Sequence, residues 1–357
     1  MRIGVLITVA FALAVAAGGW LWLGARQTQP GESGSGQRLF PGLEKQLNKV
    51  ERIRVEHRGA AYDVLRKGDQ WQLPGKTAYP VLFERVKPLL LGIAQLEKVE
   101  PQTDKPENYP RLGVQEPSAE SANWRISLYA GAEAAVASLI VGKIRVGLIA
   151  GGRDGIYARA AGQPRAWLLA GNLELPENQI DWVDRQIIYI KPKSVKRVTI
   201  RHPDGDLLVI ERPRRGAPEF VVANLPEGAS LKDDVDLNPL ARSLAGLDME
   251  DVMARSDAGF SDEEAVSAVF ETWDELEVRA YTVERAGQIF AWFEAGASAL
   301  DSTDLSGVKT LGADHAGLAE RVAGRVFRIP EGPGKRLRVR LDDVLHNGGE
   351  DRSAAVP

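Results

Sequence analysis

Beyond its first residues, the chain is written twice. Val50-Glu51-Arg52-Ile53-Arg54-Val55-Glu56-His57 returns as Val195-Lys196-Arg197-Val198-Thr199-Ile200-Arg201-His202, with apolar residues at alternate positions and the same terminal His. Leu73-Pro74 returns as Leu225-Pro226, and Leu90, Ile93 and Leu96 as Leu240, Leu244 and Leu247. Ile126, Leu128 and Tyr129 line up with Val278, Ala280 and Tyr281. The offset grows from 145 residues (Val50 to Val195) to 152 (Ile126 to Val278), a drift that loop insertions explain. A chain built this way folds as two like units, each burying its own core.

Ile3 to Ala25 carries no charged side chain. At about 1.5 Å per residue, roughly 20 helical residues cross a hydrocarbon core about 30 Å thick. Trp20 and Trp22 stand near the end of the run, where indoles favour the headgroup boundary. Arg2 and the α-amino group precede the run and Arg26 follows it, a bias that favours an inside N-terminus with the remainder exported. Signal-peptide cleavage after Ala14-Val15-Ala16 would leave Trp20-Leu21-Trp22-Leu23 as an exposed start, so an uncleaved single-pass anchor is the reading adopted. The chain contains no Cys, which excludes disulfides, thiolate metal sites, thiol nucleophiles and a lipidated Cys. The formal net charge of −4, with acids and bases interspersed, offers no basic stripe for nucleic acid.

The expected organisation is an anchor over 1–25, a flexible Gly/Ser/Pro tether over 26–38, a first unit over 39–190, a second over 191–345 and a frayed tail over 346–357. In the first unit, short strands over Ile53–Val55, Tyr62–Leu65 and Trp71–Leu73 precede an amphipathic helix over Pro80–Leu96, with Pro88 inside it. Strands over Trp124–Tyr129, Ala137–Val141, Ile156–Arg159 and Ala166–Leu169 follow. In the second, strands over Val195–Ile200, Leu207–Ile210 and Phe220–Val222 precede a helix over Leu237–Leu247. Strands over Leu276–Tyr281, Ile289–Phe293 and Val326–Ile329 close it. Runs of strands with one helix per unit predict an α+β fold of mainly antiparallel sheets.

Several ordered pieces resemble a large bacterial family known as domain of unknown function 4340. They include Leu39-Phe40-Pro41-Gly42-Leu43, Trp71-Gln72-Leu73 with Tyr79-Pro80, and Val99-Glu100-Pro101-Gln102-Thr103. Pro106-Glu107-Asn108-Tyr109, Leu112-Gly113-Val114, Leu139-Ile140-Val141-Gly142-Lys143, Tyr157-Ala158-Arg159 and Trp182-Val183-Asp184-Arg185 continue the match. The resemblance implies an N-terminal anchor and an exported domain that, in some relatives, accompanies ABC-type export or gliding-motility transporter components. It implies no catalytic residue.

No residue pattern specifies a reaction. His57 and His202 occupy matching strand ends without further ligands at metal-binding spacing, and read as inherited polar positions. Gly151-Gly152-Arg153-Asp154-Gly155 precedes a strand and lacks the Lys-Ser/Thr of a phosphate loop, so it reads as a hairpin turn. Ser261-Asp262-Glu263-Glu264 reads as a capping box that starts a helix. The aromatic residues Trp71, Tyr79, Tyr109 and Trp182 are the candidate ligand or partner surface. No cofactor, metal or nucleotide is expected.

Three functions compete. The leading one is a non-enzymatic, single-pass accessory or scaffold subunit of an ABC-type envelope transport complex. Residues 3–25 would lie in the bacterial inner membrane, with the N-terminus cytoplasmic and the bulk periplasmic. The second is a periplasmic ligand-binding or sensing module using the cleft between the copies. The third is an envelope hydrolase working through carboxylates such as Glu56 or Asp63.

Overall fold

The computed structural model describes residues 35–131, 133–149, 151–297 and 313–346. Among these, no helix is long and apolar enough to cross a membrane. The expected span 3–25, with Trp20 and Trp22, lies outside the described residues, as do 26–34 of the tether and 347–357 of the tail.

The fold is mainly antiparallel sheet with some helix. Nine strands form the first sheet: β1 (Arg52–His57), β2 (Ala60–Lys67), β3 (Gln70–Leu73), β4 (Tyr79–Val81), β5 (Glu97–Pro101), β6 (Trp124–Tyr129), β7 (Ala137–Ile149), β8 (Arg153–Ala160) and β9 (Trp167–Gly171). Their order is β4-β3-β2-β1-β6-β7-β8-β9-β5. The chain continues through β10 (Gln186–Tyr189), β11 (Val195–Arg201), β12 (Leu207–Glu211), β13 (Val221–Val222), β14 (Ala245–Asp248) and β15 (Asp251–Ala254). It closes with β16 (Val266–Thr272), β17 (Leu276–Arg285), β18 (Gln288–Ala297) and β19 (Arg325–Ile329). β10 and β14 make a two-stranded ribbon, and the remaining eight run β13-β12-β11-β16-β17-β18-β19-β15.

The chain divides into two compact units. One comprises the described residues up to 63 with 86–175, the other 64–85 with 176–346.

In the first unit, β1 buries Ile53 and Val55 on one face, opposite Leu128 and Ile126 of β6. The helix Phe83–Gln95 buries Val86, Leu89, Leu90 and Ile93, the 3–4 spacing of a one-sided helix. Pro88 lies inside it, past the first four positions whose amides have no intrahelical acceptor, so it removes one amide hydrogen bond. Residues 35–38, expected as tether, are instead fastened to β5. The Gly36 amide donates to the Lys98 carbonyl (2.8 Å) and the Lys98 amide to the Gln37 carbonyl (2.9 Å).

In the second unit, β11 buries Val198 and Ile200 opposite Phe270 and Ala268 of β16. Two expectations fail here. The helix expected over Leu237–Leu247 is only Asn238–Ala241, because Gly246 takes a φ of +84° and Ala245–Asp248 pairs with β10. Ser261 and Glu264 make half of a capping box: the Ser261 amide donates to Glu264 Oε1, but Ser261 Oγ accepts from the Glu263 amide rather than from that of Glu264. The chain then enters β16 rather than a helix. β16, missed in the sequence, takes the place beside β11 that β6 takes beside β1. Val278 and Ala280 pair with Phe270 and Ala268, one strand further out than the sequence match with Ile126 and Leu128 placed them.

The opposite face of β1 is a ladder of ions. Arg54 lies 3.5 Å from both Glu56 and Asp63, Arg125 reaches Glu56 at 3.7 Å, and Glu116 bonds Arg125 and Arg159. In the second unit Arg197 meets Glu211 at 2.6 Å and Glu271 at 3.9 Å. Burial raises the Glu271 carboxyl above the ordinary range, and Arg197 opposes the shift only in part. A group with a raised native pKa contributes stability below its unfolded pKa and loses it as pH rises through the native one. Glu271→Gln is therefore expected to raise the thermal midpoint near neutral pH, with the gain shrinking as pH falls through the raised native pKa and gone once pH is below the ordinary glutamate range. Melting curves across pH check this.

Gly142 in β7 faces the turn after the short helix Tyr109–Leu112. A Cβ there would collide with the Leu112 carbonyl oxygen and the Gly113 backbone. Gly142→Ala is expected to cost at least about 1–3 kcal/mol, since rigid backbone must move. Urea unfolding of the variant measures this.

Candidate functional site

The second unit's site is built around a strained turn. Pro74 starts a short helical turn over Pro74–Lys76, after which Thr77 and Ala78 take φ values of +57° and +52°. Two successive non-glycine residues in the left-handed region cost about 1–2 kcal/mol each. The conformation reverses the chain so that Tyr79 pairs with Leu73. It also points Lys76 at Asp251, Nζ to Oδ1 2.6 Å, in a partly shielded pair.

Arg325 holds the turn from β19. Its Nε donates to Thr77 Oγ1 (3.2 Å), and its guanidinium carbon lies 5.2 Å from the centre of the Tyr79 ring. Its Nη1 donates to the carbonyls of Glu320 (3.1 Å) and Arg321 (2.7 Å), placing a cation at the C-terminal end of the helix Ala313–Val322, where the helix dipole favours it. Tyr79 meets Phe327 edge to face, ring centres 6.4 Å apart. Burial raises the Tyr79 phenol, with Arg321 and Arg325 opposing and Asp184 adding. The hydroxyl thus keeps its proton at neutral pH.

On its other side Arg325 borders a groove of about 450 Å³, with Trp292, Glu294, Val322, Arg255 and Asp262 in its lining. Trp292 is the back wall. Tyr281 stacks parallel to it at 5.4 Å and Phe260 at 6.2 Å, and Arg255 lies 4.2 Å from its ring centre. Arg255 is pinned in turn by the Phe260 carbonyl (2.6 Å) and Asp262 (3.0 Å). The groove thus offers the edge of a largely buried indole and fixed charges of both signs, suited to holding a polar or peptide-like group. Among the described residues no cluster of three or more His, Asp or Glu is placed to hold a metal ion.

The candidate aromatic residues lie elsewhere. Trp71, Tyr79, Tyr109 and Trp182 are all buried, so they form no exposed surface. The Trp182 side chain is 1% exposed, and its carbonyl accepts the Leu82 amide at 2.9 Å. Tyr109 donates to the Pro164 carbonyl (2.6 Å) and carries Arg159 over its ring at 4.7 Å. His57 and His202 are buried too. His57 stacks on Trp124 at 4.1 Å and bonds the Asn123 carbonyl through Nδ1. Glu56 and Asp63 are ion-pair partners of Arg54, with a guanidinium serving both carboxylates. Of the tryptophans, Trp292 reaches the groove. Arg255, Asp262 and Arg325 carry no sequence signal, since tertiary contacts bring them together.

Ultraviolet titration of tyrosine is expected to show a component ionising above the ordinary range, and Tyr79→Phe is expected to remove it. Loss of a component in the ordinary range instead would refute the burial of this hydroxyl.

The pieces of resemblance also meet in space. Gly113 and Gly142 are in contact, the Val114 carbonyl accepts from Arg159 Nε at 2.7 Å, and Leu82, just after Tyr79-Pro80, bonds Trp182. No curated protein and no solved structure matches the chain. A family model described as Domain of unknown function (DUF4340) matches residues 71–268, more than half of the 357 residues. The chain belongs to that family.

Proposed function

We propose that the protein is a membrane-anchored, non-enzymatic accessory subunit of an envelope transport complex of the ABC type. On this reading the apolar run 3–25 is the anchor, with the N-terminus in the cytoplasm and the described units in the periplasm, and the Arg2 and Arg26 flanks support it. The observation that carries the reading is where the family-matching residues go. Tyr79, Tyr109, Gly142, Arg159 and Trp182 are spent on packing and close backbone contact, which suits a rigid body for docking. No Walker-type loop occurs in the sequence, so energy coupling belongs to another chain. A single apolar helix encloses no transport path by itself.

The body is read as a tandem duplication. The orders β3-β2-β1-β6-β7-β8-β9-β5 and β13-β12-β11-β16-β17-β18-β19-β15 correspond strand for strand, which supports a common ancestral unit. A second functional reading, a ligand-binding module, is favoured by the Trp292 groove inside the second unit.

Purification in mild detergent is expected to recover ABC-type transporter subunits with the chain. Recovery of the chain alone, with an unchanged phenotype when the transporter is deleted, would make the ligand module the better account. A reporter fused after Pro357 is expected to work only outside the cytoplasm, and activity inside would reject the topology.

A further inference from the structure

Over 86–175, the described residues expose three large apolar side chains, and two of them stand on one hairpin beside a groove lined by the third. Val146 (87% exposed) and Leu148 (53%) stand on the arm formed by the end of β7 and the start of β8. Leu91, the third, lines a groove of about 360 Å³ together with Arg38, Arg153, Gln95 and Gly171. The register joins the two features. Asp154, next to the turn at the tip of the arm, pairs with Gly171 and Gly155 with Ala170, so the tip of the arm lies beside the groove wall.

The arm is shaped rather than frayed. Register shifts between Val141 and Ile144 and between Arg145 and Ile149 break the ladder, Gly147 takes a φ of +66°, and its amide donates to Asp154 Oδ1 at 3.0 Å. The bulges set Lys143, Arg145, Val146 and Leu148 all to the outside. Exposed apolar side chains flanked by cations are the chemistry of an interfacial membrane contact.

This end is also where the chain joins the fold from its apolar segment. Ser35 Oγ donates to the Val99 carbonyl (3.0 Å), and Arg38 bridges to Glu97 of β5 and donates from Nη1 to the Gln95 carbonyl (2.5 Å). Arg153, beside the turn at the tip of the arm, reaches the same Glu97 at 3.3 Å. Residues 35–38, β5, β9 and β8 are successive neighbours, so the join and the arm lie about 15 Å apart at roughly 4.8 Å per strand. Nine residues, 26–34, separate this point from the end of the apolar run, a reach of about 17 Å for a flexible chain.

We infer that this end of the first unit rests on the bilayer. Val146 and Leu148 enter the headgroup boundary, and Lys143, Arg145 and Arg38 face the phosphates of anionic lipids. Glu97, Asp154 and Glu174 lie at the same end, but Glu97 is already paired with Arg153 and Asp154 with the Gly147 amide. The inference rests on the anchored reading given above.

The chain has no Cys, so a single substitution carries a unique label. Full-length Val146→Cys, labelled with a nitrobenzoxadiazole dye, is reconstituted into phosphatidylcholine–phosphatidylglycerol vesicles containing doxyl lipid. Glu133→Cys, exposed before the far end of β7, is the reference. The dye at 146 is expected to be quenched several-fold more than at 133, and Lys143→Glu with Arg145→Glu is expected to reduce that difference. A chain that floats with the vesicles but shows equal quenching at both positions overturns the surface and leaves the anchor standing. A chain that does not float removes the anchor, and the surface with it. Protection of the 146 dye from iodide in cell membranes without doxyl quenching would assign the arm to a protein partner instead.

Discussion

Each sheet is referred to a central strand whose alternate side chains are buried. Ile53, Val55 and His57 point one way from β1, and Val198, Ile200 and His202 one way from β11. A strand with a side-chain period of two tolerates no slip, because moving the pairing by one residue turns every buried group outward. The neighbours on both sides are therefore fixed together. Leu128 must face Ile53, and Phe270 must face Val198. The ion ladder on the other face of β1 depends on the same alternation, since it brings Arg54 and Glu56 to one side and leaves Arg125 opposite Glu56.

Much of this was legible in the residues. Alternation placed β1, β6 and β11 closely, the Gly151-Gly152 turn before β8 formed with both glycines at positive φ, and the 3–4 spacing found the helix of the first unit. What was not legible has local causes. Leu240, Leu244 and Leu247 have helical spacing, but Gly246 and the pairing of Ala245 with Tyr189 pull the segment into strand. The Ser261–Glu264 bonds cap a turn as well as they cap a helix, so β16 was hidden behind a sound local signal. The groove at Trp292 was less visible still. Its guanidiniums come from Arg255 and Arg325, and no spacing rule links residues so far apart.

The family-matching pieces acquire a physical meaning from this geometry. They mark places where backbone meets backbone or where a charge is taken out of water. Gly142 admits the Leu112–Gly113 carbonyls. Arg159, at 5% exposure, has the Val114 carbonyl, the Glu116 carboxylate and the Tyr109 ring around its guanidinium, as a buried cation requires. Loss of any one partner leaves that charge underpaired, so the irregular segment between β5 and β6 is held by few contacts that act together.

Residues 64–85 belong with a unit that is otherwise assembled from residue 176 onward. Lys76 and Asp251 are 175 positions apart, and Thr77 and Arg325 are 248 apart. On the ribosome, β3, β4 and the strained turn therefore emerge long before the residues that secure them. Closing such distant contacts is entropically slow. Until β19 leaves the exit tunnel, Tyr79 lacks the Phe327 and Arg325 partners that cover its ring, which gives a holding chaperone apolar surface to grip.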